Sequence, residues 1–243
     1  MLYKRTPPCP GNPSDYTRVE TREKIYWRKK RGTIKKAQLN TKLKASRNDM
    51  GMASPASRRI RYVLTPYLRE LQTGRLHNRI TTALKAQVKE KGVLEFSCLK
   101  HLEMQRDYRF DKMVYDYKVK TDKEKVEVTI STGQGMVTPQ NSLATDYYFE
   151  VVLMYGDMKK EKGLKVMSEE SLLYSFADER KTECVLTLPL PKKEDWCLFL
   201  KVSSLEGNEM GIHTKHYRMK AVECRGGLRF KSSKVYKFGF MPF

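Results

Sequence analysis

Apolar side chains recur at three- and four-residue spacing over residues 54–91, and from Val93 onward the spacing changes to two. Ile60, Val63, Leu64, Tyr67, Leu68 and Leu71 form one apolar stripe, the pattern of an amphipathic helix. Ser54 is placed to cap it, and Pro55 suits the first helical position, where the missing N–H has no partner to lose. Pro66 falls inside the stripe, so a kink or break at Thr65 is expected. Gly74 ends this segment. A second helix carries Leu76, Ile80, Ala83, Leu84 and Val88 on one face and closes at Gly92. Two such helices joined by a short turn make a helical hairpin.

The period-two region predicts strands at 93–98, 113–119, 125–131, 147–155, 183–190, 196–203 and 217–224, with a further aromatic-rich pair at 228–231 and 235–240. In Val126-Glu-Val128-Thr-Ile130 and Leu198-Phe-Leu200-Lys-Val202, residues of one parity are consistently apolar, as a half-buried strand requires. Seven to nine short strands without intervening helices predict an antiparallel sandwich rather than a doubly wound sheet. The expected fold is therefore α+β: a basic N-terminal arm (residues 1–50), a helical hairpin (51–92) and an antiparallel β-sandwich-like domain (93–243).

The arm reads differently from the rest. Pro7, Pro8, Pro10, Gly11, Asn12, Pro13 and Ser14 disfavour regular structure, so residues 1–20 are expected as an extended tail. Apolar residues stay sparse over residues 21–50, where a short hairpin or an amphipathic helix around Thr33–Ala45 is conceivable from Ile34, Leu39 and Leu43.

Charge sharpens this division. The net charge is +20, and residues 1–110 hold 26 Lys and Arg against 9 Asp and Glu, whereas residues 111–243 hold 22 against 19. The basic character belongs to the N-terminal part. Its densest run contains Arg28, Lys29, Lys30 and Arg31, followed by Lys35 and Lys36, with Arg58, Arg59 and Arg61 on the first helix. Clustered cations neutralise phosphates and release counterions, which points to non-specific nucleic-acid binding or to an acidic protein surface. Tyr26 and Trp27 lie inside the run and are placed to stack on unpaired bases.

No stretch approaches the ~18 apolar residues of a membrane-spanning helix, and the run lacks the apolar face that membrane-surface binding needs. Behind Met1 there is charge without an apolar segment, so no secretory signal is expected. Cys9, Cys98, Cys184, Cys197 and Cys224 are odd in number and scattered, which fits a reducing cytoplasm rather than a disulfide framework.

Candidate chemistry is thin. The chain lacks G-x-S-x-G, a phosphate-binding G-x-x-x-x-G-K-[ST] loop, G-x-G-x-x-G and H-E-x-x-H. His213-x-x-His216 with Cys224, or Cys98-x-x-His101 with those histidines, has zinc-like spacing, but these are two half-motifs far apart in sequence. An active site would require His101, His213 and His216 to converge near a carboxylate. No catalytic residue, metal site or cofactor is assigned, and a non-enzymatic binding protein is expected.

Gly51-Met52-Ala53-Ser54-Pro55-Ala56-Ser57-Arg58-Arg59-Ile60-Arg61 resembles the helix start of an uncharacterised protein family found mainly in the Bacteroidota. Pro66-Tyr67-Leu68, Arg75-Leu76-His77-Asn78-Arg79-Ile80-Thr81 and Ala144-Thr145-Asp146-Tyr147 match its later elements. The chain departs from the family at Asp107-Tyr108-Arg109-Phe110-Asp111, only a loose echo of the family's glycine-phenylalanine-asparagine element. The resemblance implies a helical hairpin followed by a β-rich half and carries no catalytic residues.

Overall fold

A computed structural model describes residues 8–21, 25–30, 40–71, 73–192, 194–207, 209–210 and 213–225. The chain divides into two compact units, Met1–Ala45 and Ser46–Phe243.

In the first unit, β1 (Tyr16–Glu20) and β2 (Ile25–Lys29) pair antiparallel, with Tyr16 opposite Lys29 and Glu20 opposite Ile25. The expected extended tail therefore ends at Pro13, where a single 3-10 turn begins and the Asn12 side chain accepts a hydrogen bond from the Ser14 amide at 3.1 Å. The β-branched and aromatic residues Thr17, Val19, Ile25, Tyr26 and Trp27 favour a ladder that the neighbouring prolines had obscured. Residues 31–39, which cover most of the helix or hairpin considered around Thr33–Ala45, lie outside the described residues.

Helix α1 (Thr41–Leu68) starts well before Ser54. Asn40 caps it: its side chain accepts from the Leu43 amide at 2.8 Å and its carbonyl from Lys44 at 2.9 Å. The 50/51 boundary thus falls inside a helix. Pro55 and Pro66 both sit within α1, and no break occurs at Thr65. Both prolines are exposed, as are Gly51 and Tyr62, whose carbonyls lose their helical donors, so water can take the freed acceptors. Thr65 Oγ1 also donates to the Arg61 carbonyl at 2.9 Å. Helix α2 (Leu76–Lys91) ends as expected at Gly92, whose left-handed φ of 73° lets its amide reach the Val88 carbonyl at 2.8 Å. Ser57 Oγ links the two helices, 3.0 Å from His77 Nδ1 and 3.1 Å from the His77 carbonyl.

The β-rich half comprises β3 (Tyr117–Thr121), β4 (Lys125–Thr132), β5 (Asp146–Gly156), β6 (Leu164–Glu170), β7 (Tyr174–Ser175), β8 (Thr182–Pro189), β9 (Trp196–Glu206), β10 (Glu209–Met210) and β11 (Tyr217–Arg225). β3, β4 and β8 form one antiparallel sheet. In the other, β5 and β9 are central, β6 and β7 pair with β5, and β10 and β11 pair with β9. Segment 101–104 covers the outer edge of β11, with the His101 amide donating to Ala221 at 2.7 Å and Met104 to Met219 at 2.8 Å.

The expected strand at 93–98 does not form. A 3-10 turn (Phe96–Leu99) replaces it, because the Gln87 side chain of α2 takes the Glu95 amide at 2.8 Å and holds Ser97 Oγ at 2.8 Å. The strand expected at 113–119 shifts to Tyr117–Thr121, preceded by a 3-10 turn at Phe110–Lys112. β6 had no expected counterpart, since Lys165, Ser168, Glu169 and Glu170 break its alternation on the sheet edge. The pair expected at 228–231 and 235–240 lies outside the described residues.

Two cores flank the β5/β9 sheet. Tyr147, Phe149, Val151 and Leu153 with Leu198, Leu200 and Val202 face Val126, Val128, Ile130, Leu186 and Leu188 of the three-stranded sheet. Val152, Met154, Cys197 and Phe199 pack with Ile60, Leu64, Ile80 and Leu84 of the helices. β9 is therefore buried on both faces rather than half-buried, and Trp196–Ser204 contains no exposed position. β4 alternates as expected, with Val126, Val128 and Ile130 inward.

Candidate polyanion-binding surface

Because α1 turns Ile60 and Leu64 into the core, residues four and seven positions on from Arg58 emerge on its opposite side. Arg58, Tyr62 and Thr65 form this outer row, all exposed; Arg61 is exposed on its flank, and exposed Arg69 follows in the turn just past the helix end. Tyr62 is 80% exposed, which places an aromatic ring in water among guanidinium groups. Arg59 lies on the other flank, half-buried, and its Nη1 donates to the Met158 carbonyl at 2.9 Å. Of the three expected arginines, two present themselves to solvent and one anchors the helix to the β5–β6 turn.

Beyond the end of α1, a groove of about 760 Å³ runs past the start of α2, lined by Arg75, Asn78, Arg79, Thr82, Leu102 and Arg106, with Asp107 as its acidic member. Arg79 is pinned by two backbone acceptors, Nη1 to the Glu103 carbonyl at 2.6 Å and Nη2 to Met104 at 2.9 Å. Burial lowers its pKa, partly opposed by Glu103. These bonds tie the loop bearing Arg106 to α2. The N-cap residue of α2, Arg75, makes no side-chain cap bond and the first turn holds no acid, so the partial positive charge of this helix end adds to that of the arginines.

In the N-terminal unit, Arg28, Lys29 and Lys30 are exposed. Along β2, Tyr26 (37% exposed) shares a face with Arg28, opposite Val19 and Thr17, while Trp27 is half-buried on the other face, opposite Arg18. Arg31, Lys35 and Lys36 lie outside the described residues. Tyr62, Arg69, Arg75, Arg79 and Arg106 were not expected as site residues. Extending the polar face of the expected first helix from Arg58 by four and eleven positions would have found Tyr62 and Arg69. Arg106 has no such signal, because its loop reaches α2 only through tertiary contacts, the Arg79 bonds and the pairing of 101–104 with β11.

The histidines do not assemble a reaction centre. His216 is wholly buried, with Nδ1 2.9 Å from Ser204 Oγ and Nε2 2.8 Å from Glu206 Oε1, which also accepts from Asn141 Nδ2 at 2.9 Å. Ser204 is 1% exposed, so no substrate carbonyl reaches its hydroxyl; the chain of contacts ties β9 to the start of β11. His213 is exposed, and His101 pairs with mid-β11 at Ala221, away from the end bearing His216. Among the described residues, no three His, Cys, Asp or Glu side chains converge as metal ligands.

Three further buried cations have partners inside the fold. Lys201 bridges Glu150 at 3.3 Å and Glu70 at 3.5 Å beneath the helices. Lys220 meets Asp111 at 2.6 Å. Arg218 lies 4.7 Å from the Tyr108 ring centroid, its pKa lowered to about 10 by burial. No described helix is long and apolar enough to cross a membrane. No protein-family model, no curated protein and no solved structure matches this chain.

Proposed function

We propose that this protein is a non-enzymatic, cytoplasmic binding protein whose basic helical hairpin engages nucleic-acid phosphates without reading sequence, while the β-rich half serves as its scaffold. The observation that carries the reading is the solvent side of α1, where Arg58 and Arg61 flank an exposed Tyr62 and exposed Arg69 follows just past the helix end. Arginines alone would suit any acidic surface. An exposed ring among them suits a polyanion that also offers planar bases, since stacking contributes about 1–3 kcal/mol per base and tolerates any sequence. Arg28, Lys29 and Lys30, with Tyr26, supply a second cluster of the same chemistry.

The test is binding of nuclease-treated protein to labelled single- and double-stranded DNA and RNA, titrated against salt. Expected is a steep log–log dependence whose slope falls by about three in the triple variant R58A/R61A/R69A, one per lost phosphate contact. Tyr62→Ala lowers affinity for single strands more than for duplex. No binding near physiological salt, with retained binding to polyglutamate, would replace this reading with an acidic protein partner.

A further inference from the structure

Cys197 and Cys224 are Cα partners on neighbouring antiparallel strands, β9 and β11. Their sulfurs lie 2.8 Å apart, closer than non-bonded sulfurs sit and within an ångström of the ~2.05 Å of a disulfide. Directly opposed residues of an antiparallel pair have Cα atoms about 4.5 or 5.5 Å apart, and both spacings fall inside the disulfide range. Neither strand has to move. Cys197 is fully buried in the helix-side core, whereas Cys224 is half-exposed at its margin, beside Glu223, which Lys100 holds at 2.7 Å. Cys98, half-buried on the turn after α2, packs against the same core.

We infer that Cys197 and Cys224 form a reversible disulfide site that accepts oxidising equivalents from a low-molecular-weight disulfide. The half-exposed Cys224, as thiolate, attacks one sulfur of the small disulfide. A protein–small-molecule mixed disulfide forms and one small thiolate departs. Cys197 then attacks the Cys224 sulfur, closes the cross-strand bond and expels the second thiolate, which takes up the Cys197 proton. The two protein thiols are oxidised and one small disulfide is reduced to two thiols, so atoms and electrons balance. Burial pushes the Cys197 thiol well above its ordinary range and the Cys98 thiol up to about 12, which leaves the first attack to Cys224. The closed bond staples the last described strand to a central strand, just beyond the bulge at Ala221/Glu223.

The experiment is incubation of the reduced, full-length protein with oxidised glutathione, alkylation of remaining thiols, and peptide mapping by mass spectrometry without reduction. Expected is one linked peptide pair, Cys197 to Cys224, two hydrogens lighter than the reduced pair and restored by dithiothreitol, with Cys9 and Cys184 alkylated. Cys98→Ser leaves that link unchanged, and Cys197→Ser accumulates glutathionylated Cys224. A link from Cys98 to Cys224 in the unsubstituted protein overturns the assignment. So does full alkylation of both Cys197 and Cys224 after exposure. Both decisive readings come from the natural sequence, so a variant that fails to fold does not affect them.

Discussion

The β5/β9 sheet has two covers, and they differ in charge far more than in what they bury. The helical cover, residues 46–92, carries ten Lys and Arg against three Asp and Glu. The three-stranded cover, residues 117–132 with 182–189, carries four against four. Both present aliphatic side chains to the shared sheet, Ile60, Leu64, Ile80 and Leu84 from the helices and Val126, Val128, Ile130, Leu186 and Leu188 from the strands. Burial therefore accounts for the inner faces of both layers and says nothing about why one outer face is cationic. Packing needs only that an outward position be soluble, and a balanced surface meets that need as well as a basic one. The excess on the helices is what the proposed polyanion partner would use.

The largest expected effect tests whether the two covers are equal partners in stability. Phe199→Ala removes a ring from beneath the helices and Phe149→Ala one from beneath the strands. Each is expected to cost about 3–5 kcal/mol in urea unfolding. A Phe199 loss near zero would mean that the helices pack only loosely on the sheet.

Next comes the asymmetry in charge. Reversing Arg58, Arg61 and Arg69 to Glu is expected to weaken nucleic-acid binding roughly a hundredfold or more at low salt, with stability changed by less than about 0.5 kcal/mol. Reversing Lys118 and Lys120 on β3 is expected to change affinity only about twofold, since a balanced surface holds few phosphates. Equal losses from the two covers would remove the distinction.

Arg59 sharpens it further. Because its guanidinium holds the Met158 carbonyl, Arg59→Ala is expected to cost about 1–2 kcal/mol of stability while leaving the salt slope of binding unchanged. Arg58→Ala is expected to do the reverse.

The smallest effect lies between the helices and the sheet. Burial holds the Glu150 carboxyl above the usual glutamate range, with Lys201 pulling it back down. The folded state then keeps this proton more tightly than the unfolded chain. Its contribution is fully present below the unfolded value and is lost as pH rises through the raised folded value. Urea unfolding across that window is expected to show stability falling with pH in the natural protein and a flatter profile in Glu150→Gln. In Lys201→Met, with the compensating ammonium gone, the fall extends to higher pH.

Several of these elements are legible without coordinates. The stripe from Ile60 to Leu68 and the Leu76–Val88 face both form helices, the first stopping short of Leu71, and Gly92 closes the second as its missing Cβ allows. β4, β5, β8, β9 and β11 form where alternation or an apolar run announces them. Local rules failed where a distant group took over the backbone's needs. Gln87 on α2 took the Glu95 amide where a strand was expected. The candidate site divides in the same way. Arg58 and Arg61 were visible as a basic cluster, but that Arg59 turns inward follows only from where the β5–β6 turn lies.

By itself the sequence determined that this chain is α+β, that a helical hairpin precedes the β-rich half, and that its cationic charge is concentrated in the N-terminal part, because periodicity and composition are local quantities. Tertiary structure alone decided that β9 is buried on both faces and that Arg106 joins Arg75 and Arg79 at one groove. It also decided that the sulfurs of Cys197 and Cys224 meet. Each of these depends on contacts between residues far apart in the chain, which no spacing along the sequence encodes.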